Sequence, residues 1–218
     1  YRLGDSGTHL AIVDQTTLAR LLPLRQQLPA LRHLLGVGGA TGDGVRRWAE
    51  VLAHASPRYL PAATVASDLA MIVYGNRTTG MPKCTLMAHG VLLGRIGGYV
   101  SSHDCFPQPR DLFWSPADWA SPDGLWNGLL PTWHFGVPLL AYKGCFHAGK
   151  AFSLIEKYGV RNSFLPSTTL RSMMAAVPEP RATYDLDVRT LVSAGPVGKA
   201  VLEWASEKLG VSIHEMCG

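Results

Sequence analysis

The sequence predicts an α/β fold with two mainly parallel sheets flanked by helices. Three observations carry this. Short apolar runs alternate along the chain with longer amphipathic stretches, the pattern of repeated βαβ units. Runs such as "SFLP" and "TLVSA" lack polar alternation, as strands covered by helices on both faces do. Gly and Pro, 23 and 15 among 218 residues, sit at most transitions, so the turns are tight.

In order, "HLAIVD" from His9 predicts a strand, and Thr16 to Leu28 a helix interrupted by Pro23. "LRHLLGVGG" predicts a strand leaving through glycines. The run from Gly44 to Ala55 predicts an amphipathic helix. Ser56 to Ser67 is Pro- and Ala-rich and is expected to divide the chain. Residues 1–60 would belong to a partial first α/β subdomain and 61–218 to a second. "LAMIVY" and "CTLMAH" predict strands around a polar loop, and a helix follows from Gly90. "LFWSPAD" predicts a strand and "GLWNGLLPTWHFG" a buried helix with Trp126 and Trp133 in the core. "VPLLAYKG", "RNSFLPS", "VRTLVSAG" and "VSIHEM" predict four more strands. The helices between them end at Gly159 and Gly210, or begin at a Thr168 cap.

Several function classes are excluded or disfavoured. The net charge of +4 is dispersed, without the clustered basic face that nucleic acid requires. Cys84, Cys105, Cys145 and Cys217 show no C-x-x-C spacing, so neither a zinc site nor a redox pair is indicated. The eight histidines form no ligand pair. No apolar run approaches the ~20 residues of a membrane span, and no secretory leader is visible, so a cytoplasmic location is expected. "GVGGATGDG" misses the dinucleotide-loop register and reads as a plain connection.

Ligands gather where parallel strands end, so the loops after strands carry the candidate chemistry. "YGNRTTGMPK" is the most polar of them. Thr78, Thr79 and Gly80 can present hydroxyls and backbone N–H groups to phosphate oxygens, and Lys83 adds a cation. Gly80 permits close approach or positive φ. The Walker A spacing is absent. On residue types alone, a phosphate loop and an ordinary β-turn both remain open.

The stretch resembles the phosphate-loop signature of the acyl-adenylate-forming (AMP-binding) superfamily, Y-[TS]-S-G-T-T-G-x-P-K-G. It agrees at Tyr74, Thr78, Thr79, Gly80, Pro82 and Lys83. "SPADWASPDG", "FLPSTTLRSMM", "LVSAGPVG" and "SIHEMCG" resemble further family segments in the same order, those of the acetyl-CoA and medium-chain acyl-CoA synthetases. The resemblance implies a fragment of the N-terminal domain of an ATP-dependent acid–CoA ligase. In that picture Thr78, Thr79, Gly80 and Lys83 hold ATP phosphates, with Thr79 on the Mg2+ side. Ala194, Gly195, Pro196, Cys217 and Gly218 lie along the adenylate. Trp119, Ala120, Ser121 and Gly124 line the acyl pocket. The implied partners are a short- or medium-chain carboxylic acid, ATP and coenzyme A. Gly75, Asn76, Arg77, Cys84, Ser121, Pro196 and Cys217 depart from the family pattern. They raise the alternative of an inactive truncated or degenerate remnant that at most binds nucleotide, and the resemblance implies no complete catalytic set in this chain, so the isolated chain is expected to be inactive.

Overall fold

The computed structural model describes residues 1–75 and 80–216. The chain forms two compact units, Tyr1–His89 and Gly90–Gly218. The Ser56–Ser67 segment lies inside the first, without helix or strand.

The first unit opens with a parallel sheet in the order β1 (Leu10–Val13), β2 (His33–Gly36), β3 (Val45–Arg47). Helix Gln15–Leu21 connects β1 to β2, and Asp14 caps it by accepting the Thr17 N–H at 2.7 Å. Leu18 and Leu21 bury themselves against Val13, Leu31 and Leu34. Pro23 cannot donate a helical hydrogen bond, and the chain tightens into a 3-10 turn over Leu22–Gln27. The amphipathic helix expected from Gly44 begins only at Trp48 and ends at Ala53. Val45–Arg47 instead pairs in parallel with Leu34–Gly36, because the β2 edge offers backbone partners that local periodicity does not reveal. β4 (Leu69–Tyr74) and β5 (Cys84–Ala88) form an antiparallel hairpin.

The second unit holds a five-stranded, wholly parallel sheet in the order β10-β9-β8-β6-β7. Its strands are β6 (Phe113–Trp114), β7 (Leu139–Leu140), β8 (Asn162–Phe164), β9 (Thr190–Ala194) and β10 (Ile213–Met216). Successive side chains point to opposite faces. Trp114 and Leu191 enter one core with helices Ala148–Tyr158, Ser167–Ala176 and Lys199–Trp204. Phe113, Phe164 and Val192 enter another with Tyr99 of helix Gly90–Ser102. Each fully buried large apolar side chain contributes about 1.5–3 kcal/mol. Both faces are therefore covered, which explains the unalternating apolar strands. Gly159 and Gly210 end their helices in left-handed conformations, as the sequence predicts. Pro166, not Thr168, stands at the N-cap of Ser167–Ala176, and no side chain caps that end.

The expected buried helix after β6 is a composite of Pro122–Gly124, a π segment Leu125–Leu129, and Leu130–His134. The π turn precedes Pro131, whose ring and missing N–H disfavour an uninterrupted α-helix. It inserts one residue and so rotates the next helical segment by roughly 100°. Trp126 is buried as expected, but Trp133 is 58% exposed. The seven-residue spacing would share one face only in a continuous α-helix.

At the N-terminal edge of this sheet, buried Asp111 accepts from Arg189 at 2.9 Å, Arg161 at 3.3 Å and the Gln108 N–H at 2.7 Å. Burial alone would raise its pKa. The Arg189 guanidinium, the Gln108 N–H and Asn162 outweigh that and hold it below the usual carboxylate value. This charged cluster ties down the edge opposite the strand exits.

Candidate functional site

All five strands of the second unit leave the sheet at one edge. After β6 the chain makes a hydrogen-bonded turn. Ser115 donates its hydroxyl to the Phe164 carbonyl at 2.7 Å. The Asp118 carbonyl accepts from the Ser121 N–H at 2.8 Å and from its hydroxyl at 2.6 Å. Ser121 also accepts the Gly124 N–H at 3.1 Å, so it caps the composite helix. A Cβ on Gly124 would lie 2.2 Å from the Asp118 carbonyl oxygen, so only glycine fits there. Trp119 stands clear of the turn, edge-to-face with Trp133 at 6.4 Å.

A cavity of ≈ 470 Å³ opens between the exits of β6 and β7, within the range of small-molecule sites. Trp114, Pro116 and Trp119 form one side, and Tyr142, Phe146 and Lys150 the other. Of the four residues assigned to an acyl pocket by resemblance, Trp119 lines this cavity. Ala120, Ser121 and Gly124 build the adjoining turn instead. The second wall escaped the sequence reading, although "AYKG" also follows a strand and the strand-exit rule reaches it.

Two strand spacings from β6, roughly 10 Å, β9 ends at Ala194. Gly195 follows with φ 76° and donates its N–H to the Met216 carbonyl at 3.0 Å. Pro196 is exposed, and the Val197 N–H is held by the Glu215 carboxylate at 2.6 Å. Gly198, with φ 92°, completes a turn that a Cβ would strain at two places. Trp119 and the Ala194–Pro196 turn therefore share one edge of one sheet. Cys217 and Gly218 lie outside the described residues.

In the first unit, the β4–β5 hairpin carries the polar loop. Gly75 donates to the Lys83 carbonyl at 3.1 Å, closing its base. Gly80 has φ 85° and open space around it. Lys83 is exposed, with no carboxylate within 4.0 Å among the described residues. Tyr74 donates its hydroxyl to Asp5 at 2.7 Å, a bond that pushes its pKa up to about 12. Asn76, Arg77, Thr78 and Thr79 lie outside the described residues. His89 immediately precedes the Gly90–Ser102 helix. The Gly36–Gly44 stretch is a connection from β2 to β3, with positive φ at Gly38 and Gly39.

Among the described residues, no group of three His, Cys, Asp or Glu side chains could hold a metal ion. None of their helices is long and apolar enough to cross a membrane.

Known proteins place these features in a family context. A family profile described as AMP-binding enzyme matches residues 1–218. A benzoate–CoA ligase of Thauera aromatica is 27% identical over 201 residues, covering 89% of this chain and 36% of that protein. An acetyl-coenzyme A synthetase of Mycolicibacterium smegmatis is 27% identical over 207 residues, covering 92% of this chain and 21% of that protein. The crystal structure of a Brucella canis acyl-CoA synthetase is similar to all of this chain with a TM-score of 0.87 and 26% identity, over 39% of its own length. An anthranilate CoA ligase in complex with anthranoyl-AMP shares the fold, with a TM-score of 0.88 at 22% identity over 100% of this chain and 42% of its own. The chain thus spans 21% to 42% of the length of these proteins.

Proposed function

The chain belongs to the AMP-binding enzyme family, and on that premise we propose that it carries nucleotide- and acid-binding elements of an ATP-dependent acid–CoA ligase for a short- or medium-chain carboxylic acid. The reaction has two displacements. A carboxylate oxygen of the acid attacks the α-phosphorus of ATP, and pyrophosphate leaves. The thiolate of coenzyme A then attacks the acyl carbon, and AMP leaves.

Thr78, Thr79, Gly80 and Lys83 would bind the β- and γ-phosphates. The open, left-handed Gly80 and the exposed Lys83 ammonium fit an anion there. The Ala194–Pro196 turn, with Cys217 and Gly218, would lie along the adenylate. Trp119 and the adjoining turn would hold the organic group of the acid. Magnesium would neutralise charge on the triphosphate. With no carboxylate cage among the described residues, the nucleotide oxygens would supply most of its ligands and Thr79 would face it.

The observation that carries this reading is the strand-exit cavity at Trp119, on the same sheet edge as the Ala194–Pro196 turn. Pyrophosphate exchange with a panel of acids from acetate to octanoate, and benzoate, tests it. Acid-dependent exchange that falls at least ten-fold in Lys83→Ala is the expected result. No exchange with any acid, from protein that still shows a cooperative unfolding transition, would favour the remnant, and failure of ATP to protect Lys83 from acetylation in that protein would refute the nucleotide-binding reading.

A further inference from the structure

We propose that the cavity between the exits of β6 and β7 takes an acid bearing a second negative group, a dicarboxylate, whose distal carboxylate is held by Lys143 and Lys150. The inference rests on the reading that this cavity holds the acid, and it names the substrate class.

The cavity has two unlike sides. Trp114 and Trp119 offer apolar surface, and across from them lie Tyr142, Lys143 and Lys150. Helix Ala148–Tyr158 and its N-cap turn His147, Lys150, Ala151 and Leu154 to the cavity, a spacing of three and four that defines one helical face. Lys150 therefore reaches in from the first turn, where the helix dipole adds positive potential. Its Nζ rests 5.0 Å from the centre of the Tyr142 ring. Gly144 keeps that ring in place, because a Cβ there would meet it at 3.1 Å.

The charge of the lining is unbalanced. Among the described residues that form it, Asp118 is the one carboxylate, and its Oδ1 already accepts the Ala120 N–H at 2.9 Å. Neither Lys143 nor Lys150 has a carboxylate within 4.0 Å among the described residues. A simple fatty acid would fill the apolar side and leave both ammonium groups without an anion. A dicarboxylate places its methylenes against the indoles and its far carboxylate on the lysines, leaving the near carboxylate to react. Charge-assisted hydrogen bonds of this kind are among the stronger polar contacts.

Trp114 and Trp119, two of the six tryptophans, line the cavity, so a ligand bound there is expected to change intrinsic fluorescence. The protein is titrated with hexanoate, octanoate, adipate and suberate, and with coenzyme A. Each diacid is expected to bind about ten-fold more tightly than the monoacid of equal length. In Lys143→Met/Lys150→Met that advantage disappears while monoacid binding stays, and 1 M salt shrinks it in the parent protein. Both lysines are exposed, and far-UV circular dichroism checks that the variant folds. Equal binding of mono- and diacids would overturn the dicarboxylate inference and leave the acid-binding reading standing. Quenching by coenzyme A alone, lost with the lysines, would overturn both, as would no response to any of these compounds.

Discussion

Gly124 illustrates how one residue serves a turn where the family resemblance implies a pocket. The resemblance places it among acyl-pocket residues, whereas its buried Cα is pressed against the Asp118 carbonyl. That carbonyl is backbone, already fixed by two bonds from Ser121, and cannot yield as a flexible side chain would. Gly124→Ala is therefore expected to cost about 2–4 kcal/mol through overpacking and backbone shift. A fall in the urea midpoint checks this, and an unchanged midpoint would mean that the turn has room the structure does not show. Gly80 and Gly195 differ in kind. Both occupy left-handed conformations in open space, so glycine is needed there for φ and not for clearance. The positive φ of Gly80 was legible in the sequence; that of Gly195 was not read there. The packing role of Gly124 was not legible either, because the clashing carbonyl lies six residues away and approaches only through the hydrogen-bonded geometry of the turn.

Among the elements, those ended by local chemistry were the most legible. Pro23 as an α-helix breaker, and Gly159 and Gly210 as left-handed ends, act on neighbouring residues. What failed were readings settled by distant partners. Val45–Arg47 has helical surroundings in the sequence and becomes a strand because β2 lies open beside it. The π segment before Pro131 swings Trp133 out of the core, and no local pattern announces a π turn. Ser121 shows an element-scale role that competes with its assignment to a pocket. It accepts the Gly124 N–H and donates to the Asp118 carbonyl, joining helix start to strand exit. Ser121→Ala is expected to destabilise the second unit by about 1 kcal/mol. Ser121→Thr, which keeps both bonds, should recover most of that in the same thermal melt. Equal losses in the two variants would mean that the hydroxyl is not the cap.

For the molecule as a whole, the α/β class was legible because it rests on alternation and on strands without a polar face. The candidate site was legible only in part, since its walls come from β6 and β7 exits that are separated in sequence and meet through β-pairing. The same long-range assembly governs acid stability. His103 is fully buried among Tyr99, Phe106 and Phe113, with Nε2 unpartnered among the described residues and Nδ1 near the Tyr99 carbonyl at 3.0 Å. Burial pulls its pKa down to about 4, with nearby Arg189 and His214 acting in the same direction and Asp111 against it. In the unfolded chain the ordinary histidine value is about 6.5. Between those values the unfolded chain binds the extra proton, so stability is full above pH 6.5 and falls as pH drops toward 4. The loss over that window is roughly 3 kcal/mol. Asp111, held below its ordinary value, contributes stability that is present above about pH 4 and lost on further acidification. The two groups therefore act in separate windows. Urea unfolding free energies measured from pH 7 to 5 should slope downward in the parent protein. His103→Phe should flatten that slope whatever it does to stability at pH 7. An unchanged slope in that variant would mean that the imidazole is hydrated or protonated in the folded state, and would remove it from the aromatic core that joins helix Gly90–Ser102 to the sheet.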